Sequence, residues 1–222
     1  RYVKERLSMS HYYTIKQSGT HEVIIQKSRF IGHIARADTE AEAQAFIQSI
    51  QKKHHNATHN CFAYVIGEQD QHQKANDDGE PSGTAGIPML EVLKRLSLKN
   101  TVVVITRYFG GVKLGAGGLI RAYSSVTSET IKAIGVVQRE RMQGYRVLIE
   151  YPLLGKVQNF LTESNYLIEH IEYLENVQLD VYVPIEQTEQ FNSEIIDVTN
   201  GDVTLSTIEQ KFVERDINLF SS

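Results

Sequence analysis

The spacing of apolar and polar residues divides the chain into short elements. Glu22 to Gln26 and Phe30 to Ala37 read as strands, from Val23, Ile24 and Ile25, then Ile31 and Ile34. Thr39 with Glu42 three residues on is a capping box, and it predicts a helix whose inner face is Ala43, Phe46, Ile47 and Ile50. His59 to Ile66 alternates as a strand around Phe62, Tyr64 and Ile66. Gly67 to Gly86 is polar and acidic and reads as a long loop. Ile87 to Leu96 reads as a helix with Leu90, Leu93 and Leu96 inward. Thr101 to Thr106 is a continuous apolar run, the pattern of a strand covered on both faces. A Gly-rich turn, Gly110 to Gly118, leads into a helix with Leu119, Ile120, Tyr123, Val126, Ile131 and Ile134 on its inner side.

The second half has its own order. Arg146 to Tyr151 is a strand, and Pro152 to Glu163 a helix, Pro152 suiting a first turn. Tyr166 to Leu174 and Val177 to Val183 are strands. Pro184 opens a helix that ends near Asn200-Gly201, and Val203 to Val213 is the last strand. The sequence of elements is βαββαβ, the split pattern of ferredoxin-like domains. The fold class is therefore α+β in two domains, 9–138 and 142–215, with a short charged join at 135–144.

Composition changes this picture little, and charge changes it more. Of 222 residues, 41% are hydrophobic and 23% charged, an ordinary globular balance. No apolar run approaches the ~20 residues that span a bilayer. The first residues, Arg1 to Leu7, lack the apolar stretch of a signal peptide, and Met9 is the expected start, with 1–8 set apart from the fold. Cys61 is the one cysteine, which suits a reducing, cytoplasmic setting. Residues 1–140 carry 18 Lys and Arg against 13 Asp and Glu, whereas 141–222 carry 5 against 14. An anionic partner is expected on the first half.

Three stretches carry candidate chemistry. In Thr106 to Arg121 a Gly-rich turn precedes a helix start. Gly110, Gly111, Gly115, Gly117 and Gly118 let a ligand approach the main chain, the first helical amides favour an anion, and Arg107, Lys113 and Arg121 add cations. The set predicts an anion cradle between strand and helix. It is not a P-loop, because Lys113 is followed by Leu114 rather than Ser or Thr. In Asn76 to Pro88, Asp77, Asp78 and Glu80 offer hard oxygens for Mg²⁺ or Ca²⁺; alternatively Asp78 and Glu80 pair with Arg107 or Arg121, or the stretch is a plain acidic surface. His55, His59 and Cys61 suggest a Zn²⁺ set or a Cys–His pair, against the commoner fate of a buried thiol. Tyr108, Phe109 and Tyr123 lie close to the basic residues, where aromatics stack on bases or fill a core. No motif demands a cofactor.

Four segments together resemble the YigZ/IMPACT family: Lys27 to Ile31, His59 to Tyr64, Asp77 to Gly86, and Thr106 to Gly115 continuing through Arg121-Ala122-Tyr123. The resemblance covers roughly 20–137 with specific motifs, and the remainder more loosely. It implies a first domain like the second domain of ribosomal protein S5, and a second like the ferredoxin-like domains of elongation factor G. It also implies a part in translation, as in eukaryotic relatives that act in translational control, although those carry an N-terminal interaction domain not found in this sequence. The expected function is a translation-associated binding protein touching RNA, the ribosome or another anion. The alternative is an enzyme acting on a phosphorylated small molecule with Mg²⁺. No catalytic residue follows from the resemblance, and the sequence does not set the oligomeric state.

Overall fold

The computed structural model describes residues 10–220. The chain divides into two compact units, one running to Gln138 and resuming at Arg215, the other spanning Arg139–Glu214.

In the first unit the elements are β1 (His11–Ile15), β2 (Gly19–Ile25), β3 (Ser28–Arg36), α1 (Glu40–Lys53), β4 (His59–Ile66), β5 (His72–Asn76), α2 (Gly86–Arg95), β6 (Thr101–Tyr108) and α3 (Gly115–Ile134). Strands β2-β3-β6-β4-β5 form one sheet, and the pairs among them are antiparallel. Helices cover both faces, so alternate side chains of one strand enter different cores. Phe30, Ile34, Cys61, Ala63, Val103 and Ile105 pack with Met89, Leu93, Tyr123 and Val126 of α2 and α3. Ala35, Phe62, Tyr64, Val102 and Val104 pack with Ala43, Ile47 and Ile50 of α1. This explains the unbroken apolar run of β6, which lies between β3 and β4.

Local rules set the helix ends. Thr39 accepts from the Glu42 amide at 3.2 Å, as the capping box predicts, but the returning Glu42 carboxylate takes the Asp38 amide at 2.7 Å instead of that of Thr39. Helix α2 turns Met89, Val92 and Leu93 inward, with Leu90 and Leu96 only partly buried. Ile120, expected inside, is on the exposed side of α3. Where α3 crosses β3, Gly32 lets the layers close: a Cβ there would sit 2.0 Å from Thr130 Oγ1.

The second unit contains most of β7 (Val136–Ile149), a 3-10 turn (Tyr151–Leu153), α4 (Leu154–Glu163), β8 (Leu167–Tyr173), β9 (Val177–Pro184), α5 (Thr188–Thr199) and most of β10 (Thr204–Ile217). The order βαββαβ expected for this half is the order found, with strands arranged β10-β7-β9-β8. Tyr145, Val147, Leu179 and Val181 meet Val157, Leu161, Phe191 and Ile195 of the helices. On the opposite face Tyr182 passes over Gly144, where a Cβ would come within 2.9 Å of its ring, and donates to Glu209 at 2.8 Å. Asn200, left-handed at φ 51°, caps α5. The segment 135–144 was expected as a join; from Val136 it is strand instead, and its charged residues belong to β7.

Two outcomes are expected. Gly32→Ala forces Thr130 aside and lowers stability in urea by about 1–3 kcal/mol, with Thr130→Ala restoring part of it. His33, 2% exposed and bonded through Nε2 to Thr106 Oγ1 at 3.1 Å, is lowered to about 4 by burial, then by His54 and Lys53. Its neutral form is favoured in the fold, so the unfolded chain takes up the proton first. Stability therefore falls as pH drops from about 6.5 towards about 4. His33→Gln flattens that part of the pH–stability curve.

Candidate functional site

The site grows from one acidic loop lying against the ends of β4 and β6. Asp77 organises the loop: its carboxylate accepts the amides of Gly83 at 2.8 Å, Ala85 at 3.1 Å and Gly86 at 2.8 Å. Burial alone would raise this carboxyl, but the three amide bonds outweigh it and hold the group below its ordinary value. Gly86 is needed where α2 starts, because a Cβ would lie 2.5 Å from the Asn76 backbone. Asp78 Oδ2 accepts the Asn60 amide at 2.6 Å. Two side chains on the same side of β4 bind the loop's carbonyls, Cys61 Sγ donating to Asp77 O at 3.0 Å and His59 Nδ1 to Asp78 O at 2.7 Å. A carbonyl only accepts, so His59 Nδ1 carries a proton.

Glu80 is the loop's innermost charge, 7% exposed. Its Oε1 accepts from Arg107 Nη1 at 2.7 Å and from the Tyr123 hydroxyl at 2.8 Å, with His59 Nε2 3.6 Å away. Arg107 is 5% exposed, and its guanidinium lies between the rings of Phe30 and Phe109 at 5.4 and 5.5 Å. Nη2 reaches Ser28 Oγ at 3.3 Å, while the buried Nε has no partner among the described residues. Burial, then the neighbouring Cys61 and Glu80, push the Tyr123 hydroxyl well up, so it stays protonated and donates.

Above this pair lies a cavity of about 410 Å³. Thr58, His59, Glu80 and Arg107 form its polar end; Pro81, Phe109, Leu114 and Leu119 form its apolar wall; Lys113, Gly115 and Ala116 complete the lining. Helix α3 starts here without a side-chain cap. Its first amides, the orphan donors of a helix start, receive no side-chain cap among the described residues. Gly111 and Gly115 are left-handed, at φ 88° and 73°, and nothing approaches the position of a Cβ on either. Gly110 has a different task, since its Cβ would overlap Lys27 O at 1.9 Å; it lets the turn pass over the β2–β3 connection.

The three expected cations are thus separated. Arg107 is spent on Glu80 as an internal ion pair. Arg121 lines a shallow groove on α3 with Arg95, Ser124 and Ser128, and its Nη1 lies beside Gly117. Lys113 alone of the three lines the cavity with no ion partner among the described residues. Gly118 packs on Leu114. Of the readings open for the acidic loop, arginine pairing is the one seen at Glu80. The described residues hold no group of three or more possible metal-binding side chains, because these carboxylates face amides, Arg107 and Tyr123. The expected trio of His55, His59 and Cys61 does not assemble: His55 is exposed and lies 3.3 Å from Lys52 O. Burial pushes the Cys61 thiol well up, which removes its nucleophilic form. His59 was noticed as a metal or nucleophile candidate, whereas its place is in the cavity wall.

The ion pair yields an expectation. Glu80→Gln keeps both acceptor bonds but leaves the buried Arg107 cation without a counter-charge. The cost is about 3–5 kcal/mol in urea unfolding, and adding Arg107→Met recovers part of it. A loss below about 1 kcal/mol would show that the pair is not what holds the loop.

Residues 26–131 match the family described as the Impact N-terminal domain, and residues 147–202 match a domain of unknown function (DUF1949). The IMPACT family member YvyE of Bacillus subtilis is 54% identical over 93% of this chain and 95% of its own length. The IMPACT family member YigZ of Escherichia coli is 34% identical over 84% of this chain and 92% of its own. A crystal structure of a hypothetical protein, 32% identical, covers 90% of this chain and 98% of its own, with a TM-score of 0.58. Both halves are matched, and the similarity runs nearly the full length of these bacterial relatives: the chain belongs to the IMPACT family.

Proposed function

We propose that this protein is a translation-associated regulatory binding protein that takes single-stranded RNA at the cavity of its first unit. One observation carries the reading: a helix start without a side-chain cap and a lysine without an ion partner, both among the described residues, share a 410 Å³ cavity with an apolar wall. An anion suits the first two and a flat base suits the third. Phe109 is 47% exposed and rests on Arg107, leaving ring surface free for stacking. The cavity is sized for one nucleotide unit of a longer strand. Arg121 of α3 and Arg95 at the end of α2 share a separate shallow groove, also without ion partners among the described residues, and would meet neighbouring phosphates. The link to translation rests on the resemblance set out from the sequence.

The alternative, an enzyme using Mg²⁺ on a phosphorylated small molecule, has less support. Its ligands would have to come from Asp77, Asp78 and Glu80, whose bonds to amides, Arg107 and Tyr123 already hold the loop together.

Fluorescence anisotropy with labelled single-stranded RNA over a range of salt tests the proposal. Binding should weaken with salt, and Lys113→Ala should reduce the log–log slope by about 0.7, one phosphate's worth for a single strand. Phe109→Ala should cost about 1–3 kcal/mol of affinity. No affinity at low salt ends the reading, and equal affinity for a free mononucleotide would favour the small-molecule alternative.

A further inference from the structure

The second unit presents the opposite chemistry. Residues 139–214 carry 14 Asp and Glu against 5 Lys and Arg. The acidity meets an apolar surface at one end of the sheet, where the row Tyr173–Val177–Ile149 closes β8, β9 and β7. A cleft of about 720 Å³ opens there, lined by Leu148, Glu150, Pro152, Asn176, Asp202 and Val203 among others, and among the described residues no Lys, Arg or His lines it. The hairpin beside it is held by two bonds. Tyr151 donates its hydroxyl to Leu174 O at 2.6 Å, and the Leu174 amide reaches Asn176 O at 2.9 Å. The backbone is fixed, yet large apolar side chains remain in water: Tyr173 is 59% exposed, Leu174 54% and Tyr151 46%. Glu172 and Glu175 flank the first two and are exposed as well.

We propose that this end of the second unit docks a basic peptide segment of a partner protein, one rich in Lys or Arg and carrying at least one large apolar side chain. Charge complementarity selects this occupant. Glu150 and Asp202 have no ion partner among the described residues, so the cleft offers two free carboxylates with no internal cation to displace. Rim charges of one sign steer an oppositely charged chain and set its register. Tyr151, Tyr173 and Leu174 supply the apolar area that gives a peptide residence, and the two hairpin bonds spare most of the ordering cost on this side. An acidic or purely apolar partner would leave these carboxylates desolvated and unpaired. The inference stands independently of RNA binding, because every residue in it belongs to the second unit.

The test uses the full chain and a short fluorescein-labelled peptide alternating Lys and Leu, read by anisotropy and by hydrogen exchange. The wild type is expected to bind, with protection confined to 148–153, 173–176 and 201–204. The pair Glu150→Gln and Asp202→Asn should weaken binding about tenfold at low salt, and Leu174→Ala should weaken it at all salts. These positions are exposed, so unchanged circular dichroism and thermal midpoint are expected; if Leu174→Ala is unstable, Tyr173→Ser replaces it. A control pair, Glu186→Gln and Glu189→Gln, should change affinity less than twofold. Equal loss in the control pair, equal binding of a Lys–Gly peptide, or protection elsewhere overturns the proposal. A dimer of the chain alone that Leu174→Ala dissolves would also overturn it, by giving the surface to a second copy.

Discussion

A carboxylate taken out of water has to be met by donors, and in this protein the carboxylate of Glu80 is met from two directions at once. Arg107 comes from β6 and Tyr123 from α3, while His59 stands nearby on β4. The loop carrying Glu80 is therefore fixed relative to a strand at the middle of the sheet and to the longest helix. The cavity above is a consequence of that arrangement. Its floor is an already neutralised pair, so the electrostatic character of the opening is left to Lys113 and to the uncapped turn of α3. Desolvation makes this pair intolerant of losing one member, which is why the floor is better regarded as a framework than as a ligand contact.

Much of the fold was legible because burial imposes periodicity. The continuous apolar run of β6 announced two covered faces, and the Thr39–Glu42 spacing announced α1. Elements that do not bury a face left no such trace. Strand β5, His-Gln-Lys-Ala-Asn, lies at an edge, and its side chains are mostly in water; it is a strand because β4 pairs with it. The start of β7 was equally silent, since Gln138-Arg139-Glu140-Arg141 reads as a charged connection until partner strands are known. Ile120 illustrates the opposite failure, an apolar residue at helical spacing that the packing leaves outside.

The site was legible in its ingredients but not in its assignments. Glycine richness marked a loop with special backbone, yet only coordinates separate Gly110, which avoids the Lys27 carbonyl, from Gly111 and Gly115, which face open space. Three cations within fifteen residues suggested convergence. The pleat of β6 sends Arg107 inward, and the pitch of α3 carries Arg121 to another surface. The acidic loop named Arg107 as one possible partner, but choosing between metal, arginine and solvent required the burial of Glu80. His59 could not be placed from local sequence, because its partner, the Asp78 carbonyl, is nineteen positions away.

The bond from Cys61 to the Asp77 carbonyl has a practical side. The thiol has no exposed surface, and its ionisation is suppressed by the site it occupies. A thiol-directed reagent can reach it only when the 77–86 segment and the α2–α3 packing over β4 open. The lone sulfur is thus a built-in reporter: the pace at which it becomes alkylated counts how often this part of the first unit opens, without any label having been introduced.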